Sequence, residues 1–226
     1  GVGIDNLDVE FLNKKGIKIK ITNTNPSQAV AELVLGFIIM MQRNIPFHNN
    51  DMKSGIWEKK MGSLLHGKTL GIVGLGKIGK ELVRLTGPFH LNYIAFDKYK
   101  DEEFSKKYNI EYLDLNGLFT KADIITIHLN LTSETTGLIN KLLLSKMKSS
   151  AVIINTSRGE IVNEGDLYSV LTEKLIKGAC LDVFINEPYF GELSKQTNVV
   201  STPHIGSYAK EIRNQMELES VNNLIE

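Results

Sequence analysis

The sequence has little of several features that mark specialised proteins. Its single cysteine, Cys180, cannot form an internal disulfide and lies in an apolar run, so we predict a small buried core residue rather than a reactive thiol. Lys and Arg together number 26, as do Asp and Glu, so the formal net charge is zero. This balance supports neither nucleic-acid binding, which favours a basic excess, nor disorder.

Long apolar runs and metal-ligand spacings are also scarce. The longest apolar run, residues 29–41, contains Glu32 and is shorter than the ~20 residues that a membrane-spanning helix needs. No signal-peptide pattern is visible. His48, His66 and His90 have no cysteine or histidine partner at zinc-ligand spacing. We therefore expect a cytoplasmic protein with no bound metal and no membrane or nucleic-acid partner.

A regular alternation of strand and helix patterns is present between residues 68 and 202. Strands that are apolar on consecutive positions are typical of parallel sheets covered on both faces. The pattern predicts an α/β fold with a doubly wound parallel sheet of the Rossmann type. The predicted strands are residues 69–73, 93–96, 124–128, 151–155, 179–183 and 199–201. The predicted helices are residues 29–43, 49–57, 77–85, 101–108, 115–120, 140–146 and 164–173, the second of which is expected to end near Gly55.

A glycine-rich turn joins the first predicted strand to the helix that follows it. Gly74 permits a tight turn, Gly76 permits close approach of a pyrophosphate, and Gly79 permits close packing of helix and strand. The amides of Lys77 and Ile78 then lie at the positive end of the helix, where they can bind phosphate. A glycine-rich turn alone is weak evidence, but its position between strand and helix predicts a dinucleotide site.

Asp97 ends the next predicted strand, 18 residues after Gly79. A carboxylate at this place accepts hydrogen bonds from the adenine-ribose hydroxyls and repels a 2′-phosphate. We therefore predict NAD as the cofactor, in preference to NADP. Lys98 beside it either softens this preference or is simply solvated.

Three further residues follow the later predicted strands. Arg158 can hold a carboxylate through two parallel hydrogen bonds, which lysine cannot do. His204 can donate a proton near neutral pH, and Glu187 can orient its imidazole. All three lie at the strand edge where open α/β sheets bind ligands, and the set predicts reduction of a 2-oxo acid. Asp182 is either a structural acid or a partner of the nicotinamide carboxamide.

The chain resembles the D-isomer-specific 2-hydroxyacid dehydrogenase family over nearly its whole length. The matching stretches are GVGIDNLD (1–8), AELVLG (31–36), GKTLGIVGLG (67–76), NTSRG (155–159), LDVF (181–184) and PHIG (203–206). The resemblance implies catalytic roles for Arg158, Glu187 and His204. It also implies cofactor contacts from Val2, Lys77, Ile78, Asp97, Leu129, Thr156, Ser157, Arg158, Asp182, His204, Ile205, Gly206 and Ser207.

The family pattern also implies a domain organisation. Residues 1–25 are expected to be the remnant of a substrate-binding domain, with a strand, a helix and a strand up to Thr22. Residues 26–207 are expected to form the NAD-binding domain, and residues 208–226 a helix that returns to the first domain. The apolar helices between Ala29 and Trp57 serve either a homo-oligomer interface, which the resemblance favours, or packing within the chain. Asn130 replaces a proline that is frequent in the family, so the loop near the nicotinamide is expected to differ.

The substrate is less well defined by the sequence. Residues 1–8 and 23–35 resemble phosphoglycerate dehydrogenases, which favours D-3-phosphoglycerate and a place in serine biosynthesis. Glyoxylate and hydroxypyruvate (glycerate) reductases share the motifs and remain the alternative. Glu187 argues against the formate dehydrogenases of this lineage, which have glutamine there. An NAD-sensing interaction protein, like the family's corepressors, is the alternative of another class.

Overall fold

A computed structural model describes residues 7–225, and its centre is one parallel sheet. The strand order is β3-β2-β1-β4-β5-β6-β7, and every neighbouring pair is parallel. The predicted doubly wound α/β fold is therefore confirmed. The strands are β1 Thr69–Val73, β2 Asn92–Phe96, β3 Ile110–Tyr112, β4 Ile124–Ile127, β5 Val152–Asn155, β6 Gly178–Leu181 and β7 Val199–Ser201.

The strand order reverses between β1 and β4. Chain direction runs outward from β1 through β2 and β3 on one side, and outward from β4 through β7 on the other. Val73, the last residue of β1, is in register with Phe96 of β2 and with Ile127 of β4. The connections that follow these strands consequently lead to opposite sides of the sheet, and open α/β sheets bind ligands at such a point of reversal.

Helices cover both faces of the sheet. Each predicted helix is present within a few residues of its expected bounds, apart from the second. The helices are α1 Val9–Lys14, α2 Ser27–Gln42, α3 Ile45–Lys53, α4 Lys77–Thr86, α5 Glu102–Tyr108, α6 Leu115–Lys121, α7 Lys141–Leu144, α8 Glu164–Thr172 and α9 Lys210–Ile225.

The beginning predicted for the second helix, residue 49, was wrong, whereas its end near Gly55 is confirmed. The observed helix α3 begins four residues earlier, directly after Asn44, whose φ of 54° interrupts α2. Pro46 lies in the first turn of α3, where its missing N–H costs no hydrogen bond. The helix ends before Gly55, which has a φ of 75°. Proline and a left-handed residue therefore define both ends.

Two further expectations about strands need correction. β3 was not predicted, because it is short and the charged Glu111 lies at its centre. A strand was expected between the first helix and Thr22, but residues 17–22 take part in no strand pairing among the described residues. The helix of that segment is present as α1. The strand expected before α1 falls on residues 1–6, outside the described residues.

Within the described residues the core consists of two apolar clusters, one on each face of the sheet. Ile124 and Ile125 are both buried but belong to different clusters, because successive strand residues point to opposite faces. Helices α2 and α4 cover one face, and α6 and α8 cover the other. Cys180 is buried in the cluster that α2 and α4 cover, which confirms it as a core residue. Burial raises the pKa of its thiol.

Helix α9 and the segment before α2 are joined by hydrogen bonds. The Glu219 carboxylate accepts the backbone N–H groups of Asn23 and Thr24, at 2.6 and 3.0 Å, and the Thr24 hydroxyl at 2.8 Å. Asn223 donates its side-chain amide to the carbonyl of Ile21. The end of the described chain therefore lies against the residues that lead into the sheet domain.

Within residues 7–225 no single helix is long and apolar enough to cross a bilayer. Helices α2 and α3 meet the length and composition criteria only when taken together, and they are bent by 63° at their junction. Much of α2 is buried in the core beside α4.

Candidate active site

The glycine turn between β1 and α4 has the geometry of a phosphate cradle. Gly74 has a φ of 99°, and a Cβ atom there would lie 2.8 Å from the carbonyl oxygen of His128. A Cβ on Gly79 would lie 2.7 Å from the carbonyl oxygen of Gly74. A Cβ on Gly76 would meet nothing within 4 Å. Gly74 and Gly79 are thus required for packing, whereas Gly76 leaves open space in front of the helix.

The N-terminus of α4 opens onto that space. Gly76 is its N-cap residue and supplies no side chain to satisfy the first amides of the helix, which include those of Lys77 and Ile78. Unsatisfied amides and the helix dipole favour an anion here. The geometry therefore fits the pyrophosphate of a dinucleotide.

Asp97, at the end of β2, supports the same turn. One carboxylate oxygen accepts the amide of Leu75 at 2.7 Å, and the other accepts the amide of Tyr99 at 2.9 Å. An ionised carboxylate has about four acceptor sites, so capacity for ribose hydroxyls is left. The contact with Leu75 was not predicted, because it joins segments that only the fold places together.

We expect Asp97→Ala to weaken NAD binding and to narrow the preference for NAD over NADP, because it removes both the ribose acceptor and the charge that repels a 2′-phosphate. Fluorescence titration with NADH and NADPH measures both affinities. Asp97→Asn is the matched control, since its amide oxygen can still accept the Leu75 amide without the charge. An unchanged NADH to NADPH ratio in both variants would remove Asp97 from the ribose site.

The turn after β5 is held by Asn155. Its side-chain oxygen accepts the Ser157 amide at 3.0 Å and the Ser157 hydroxyl at 2.7 Å, and its amide donates to the carbonyl of Arg158. The guanidinium of Arg158 donates to the carbonyl of Ser157 at 2.8 Å and remains partly exposed. The Thr156 hydroxyl oxygen is buried without a hydrogen-bond partner. Such an orphan suits a bound polar ligand.

Gly159 brings this turn against the loop that follows β6. A Cβ on Gly159 would lie 2.0 Å from the carbonyl carbon of Phe184 and 2.3 Å from the amide nitrogen of Ile185. Only glycine allows two backbones to approach this closely. The loops that carry Arg158 and Glu187 are consequently in direct contact.

We expect Gly159→Ala to destabilise the protein by about 3 kcal/mol, because overpacking a rigid backbone contact costs ~1–3 kcal/mol or more. Thermal unfolding measures the loss. Gly137→Ala is an instructive comparison, because its cost arises from a φ of 63° alone, with nothing within 4 Å of its Cβ. Equal stability of Gly159→Ala and wild type would show that the two loops are not in contact.

Glu187 and His204 form a hydrogen-bonded pair. The Nδ1 atom of His204 lies 2.7 Å from one Glu187 carboxylate oxygen, and the other oxygen accepts the Phe184 amide at 3.0 Å. The His204 side chain is 46% exposed, so a substrate can approach the ring. The carboxylate thus selects the tautomer with the proton on Nδ1 and orients the ring.

Asp182 holds the loop that carries His204. Its carboxylate is fully buried and accepts the Thr202 hydroxyl at 2.5 Å and the amides of Ile205 and Gly206 at 2.8 Å each. His204 itself has a φ of 54°, in the left-handed region. The expected structural role of Asp182 is therefore visible, whereas its contact with a nicotinamide carboxamide stays a prediction.

His128, at the end of β4, is not suited to proton transfer. Burial lowers its pKa to about 3, so the ring is neutral at physiological pH. Its Nε2 lies 3.0 Å from the Thr126 hydroxyl, and its Nδ1 is buried without a partner. The neighbouring Leu129 packs against the position of a Gly74 Cβ, at 3.1 Å, and so lies beside the glycine turn.

The structure places nearly all the predicted site residues on one edge of the sheet. They follow the carboxyl ends of β1, β2, β4, β5, β6 and β7, and Ile205, Gly206 and Ser207 extend the last of these loops. Val2 lies outside the described residues.

The sequence also matches the model of a known protein family. Residues 35–206 match the D-isomer specific 2-hydroxyacid dehydrogenase, NAD binding domain. The chain belongs to this family. The match covers the glycine turn, the Arg158 turn, Glu187 and His204 within one domain, which is the domain that binds NAD in the family.

Similar proteins of the family differ in their substrates. A D-3-phosphoglycerate dehydrogenase from Methanocaldococcus jannaschii is 40% identical over 215 residues, which cover 93% of this chain but only 41% of that protein. A hydroxypyruvate reductase from Thermotoga maritima is 37% identical over 230 residues, covering 99% of this chain and 74% of that protein. The crystal structure of a glyoxylate reductase from Paecilomyes thermophila is 32% identical with a TM-score of 0.88, covering 99% and 69% of the two chains.

Proposed function

We propose that this chain is the NAD-binding part of an enzyme that transfers a hydride between a D-2-hydroxy acid and its 2-oxo acid. The observation that carries the proposal is the 2.7 Å contact between Glu187 and Nδ1 of His204, at the edge of the sheet where the glycine turn lies. Family membership supports it. An oriented imidazole beside a dinucleotide site is what carbonyl reduction requires.

Bound NADH would supply the hydride. Nε2 of His204 would donate a proton to the carbonyl oxygen as negative charge develops there, and Glu187 would stabilise the resulting imidazolium. Arg158 would hold the substrate carboxylate, because its planar guanidinium matches two carboxylate oxygens. In the direction of oxidation, neutral His204 would accept the hydroxyl proton.

The preferred substrate in this proposal is D-3-phosphoglycerate, oxidised to 3-phosphohydroxypyruvate at the start of serine biosynthesis. The resemblance of residues 1–8 and 23–35 supports it, as does the similarity to D-3-phosphoglycerate dehydrogenases. The alternative, a hydroxypyruvate or glyoxylate reductase, is supported by a relative of which this chain covers 74%.

Turnover by the full-length protein tests the proposal and ranks its substrates. NADH absorbance is followed with 3-phosphohydroxypyruvate, hydroxypyruvate and glyoxylate, and kcat/KM is compared. A preference of at least tenfold for the phosphorylated substrate supports the phosphoglycerate assignment, and the reverse order supports the alternative. NADH binding without turnover of any of these acids would overturn the enzymatic proposal and favour an NAD-sensing interaction protein.

We also propose a homodimer or larger homo-oligomer that forms through the helices between Ala29 and Trp57, chiefly through α3. No side chain of α3 is buried, although α2 beside it contributes to the core. Exposed apolar residues cluster there, as expected of a subunit interface. They are Ile45, Met52, Ile56, Trp57, Met61 and Leu64.

The division into residues 1–25, 26–207 and 208–226, with the outer parts in a substrate-binding domain, belongs to the same proposal, as does a cytoplasmic location. The hydrogen bonds of Glu219 with residues 23 and 24 support the division, because they join the two segments that would enter and leave that domain.

A further inference from the structure

We propose that Glu164 is a positioning residue for the Glu187–His204 pair, an inference that rests on the function proposed above. Glu164 is the first residue of α8 and is partly buried. One of its carboxylate oxygens accepts the backbone amide of Ile185 at 2.7 Å, across 21 positions of sequence. The contact joins α8 to the loop that carries Glu187.

The two neighbouring amides of this loop are held by different carboxylates. The Phe184 amide donates to Glu187 at 3.0 Å, and the Ile185 amide donates to Glu164 at 2.7 Å. Phe184 lies between these two peptide planes, so both of its backbone dihedral angles are held when both hydrogen bonds form. The loop contains no helix or strand between Asp182 and Gly191, and such hydrogen bonds are therefore what defines its path.

The carboxylate of Glu187 depends on this path. One of its oxygens accepts the Phe184 amide, and this hydrogen bond places the other oxygen 2.7 Å from Nδ1 of His204. Gly159 packs directly against the Phe184–Ile185 peptide. The Phe184 ring stacks on the Tyr189 ring, with 4.0 Å between the ring centroids. The hydrogen bond from the Ile185 amide to Glu164 is a further, polar restraint on this peptide. Releasing it would let the peptide rotate and shift Glu187.

Glu164 is not needed to begin its own helix. Asn163 caps α8 by accepting the amide of Asp166 at 3.0 Å. Asp166 offers a matched comparison, because it lies in the same first turn and its carboxylate accepts the amide of Lys141 at 2.8 Å, at the start of α7. The two acids therefore make the same kind of contact, one with the Glu187 loop and the other with a different part of the chain.

The test compares Glu164→Ala, Glu164→Gln and Asp166→Ala in the full-length protein. Nitrogen-15 chemical shifts of the His204 imidazole at fixed pH report its tautomer, and kcat, KM and the Kd for NADH are measured alongside. We expect Glu164→Ala to lose the preference for the Nδ1-protonated tautomer and to lower kcat about fivefold to tenfold, because the loop that carries Glu187 loses one of its hydrogen bonds. The Kd for NADH should stay within about twofold. Glu164→Gln should restore the tautomer preference and kcat, because its amide oxygen can accept the Ile185 amide.

Asp166→Ala should lower the unfolding temperature about as much as Glu164→Ala but leave the tautomer and kcat unchanged. The proposal is overturned if both alanine variants change the tautomer and kcat to the same extent, or if Glu164→Ala leaves the imidazole spectrum as in wild type. Absence of turnover in the wild-type protein would overturn the proposed function instead. The imidazole spectra would still decide whether Glu164 positions the pair.

Discussion

His204→Ala is expected to lower kcat by about 10³-fold while the Kd for NADH stays within about twofold, since a positioned general acid contributes ~10²–10⁴-fold. The imidazole lies on the loop after β7 and is exposed enough to reach a substrate, whereas the glycine turn and Asp97 lie after β1 and β2. Proton donation and dinucleotide binding are therefore separable. Steady-state turnover and NADH fluorescence titration measure the two effects.

Glu187→Gln is the informative companion of this variant. It keeps the shape of the side chain, and an amide oxygen can still accept the Phe184 amide, but the negative charge that stabilises an imidazolium is lost. We expect a smaller fall in kcat than in His204→Ala. If His204→Ala reduces NADH binding as strongly as turnover, the side chain serves the cofactor site or the fold, and the proton-donor role is wrong.

Arg158→Lys is expected to lower kcat/KM by about 10²-fold, chiefly through KM. Lysine keeps the positive charge but cannot make two parallel hydrogen bonds with a carboxylate, and each charge-assisted bond is worth ~1.5–3 kcal/mol. The substitution should leave the Kd for NADH nearly unchanged. Initial-rate kinetics with a 2-oxo acid over a range of concentrations measure kcat and KM separately.

Arg84→Lys is the matched control for this prediction. Arg84 lies on α4, pairs with Glu81 and faces the Phe104 ring, away from the loops after β5 and β6. Its replacement should not affect kcat/KM. A value for Arg158→Lys equal to that of Arg84→Lys would mean that Arg158 does not hold the substrate carboxylate.

The sheet domain was predictable because its strands are buried on both faces. A run such as Ile124–Ile127 has no polar face, and helices such as α5 begin at acidic caps, with Asp101 accepting the Phe104 amide. Local patterns of this kind depend only on neighbouring residues. Local patterns were less informative where tertiary contacts determine the secondary structure. In β3, pairing with β2 stabilises the strand although the charged Glu111 lies at its centre.

The residue types of the site and the contact between Glu187 and His204 were predictable from the sequence. The carboxylate contacts that hold the surrounding loops were not. A glycine turn, an arginine turn and a histidine are recognisable because each chemistry needs a particular residue type. The Asp182 contacts with Ile205 and Gly206 span more than 20 positions, and the Glu164 contact with Ile185 spans 21. Such distances along the chain carry no periodic signal, so only the folded loops show which carboxylate accepts which amide.

The buried Asp182 carboxylate has a consequence for protein engineering. It accepts hydrogen bonds from Thr202, Ile205 and Gly206. The conformation of the segment around His204 therefore depends on Asp182, which follows the neighbouring strand β6. Transplanting residues 202–207 into a related scaffold to alter its substrate range would therefore carry the histidine but not its conformation. A chimera needs to inherit the donor's Asp182 environment together with the transplanted segment.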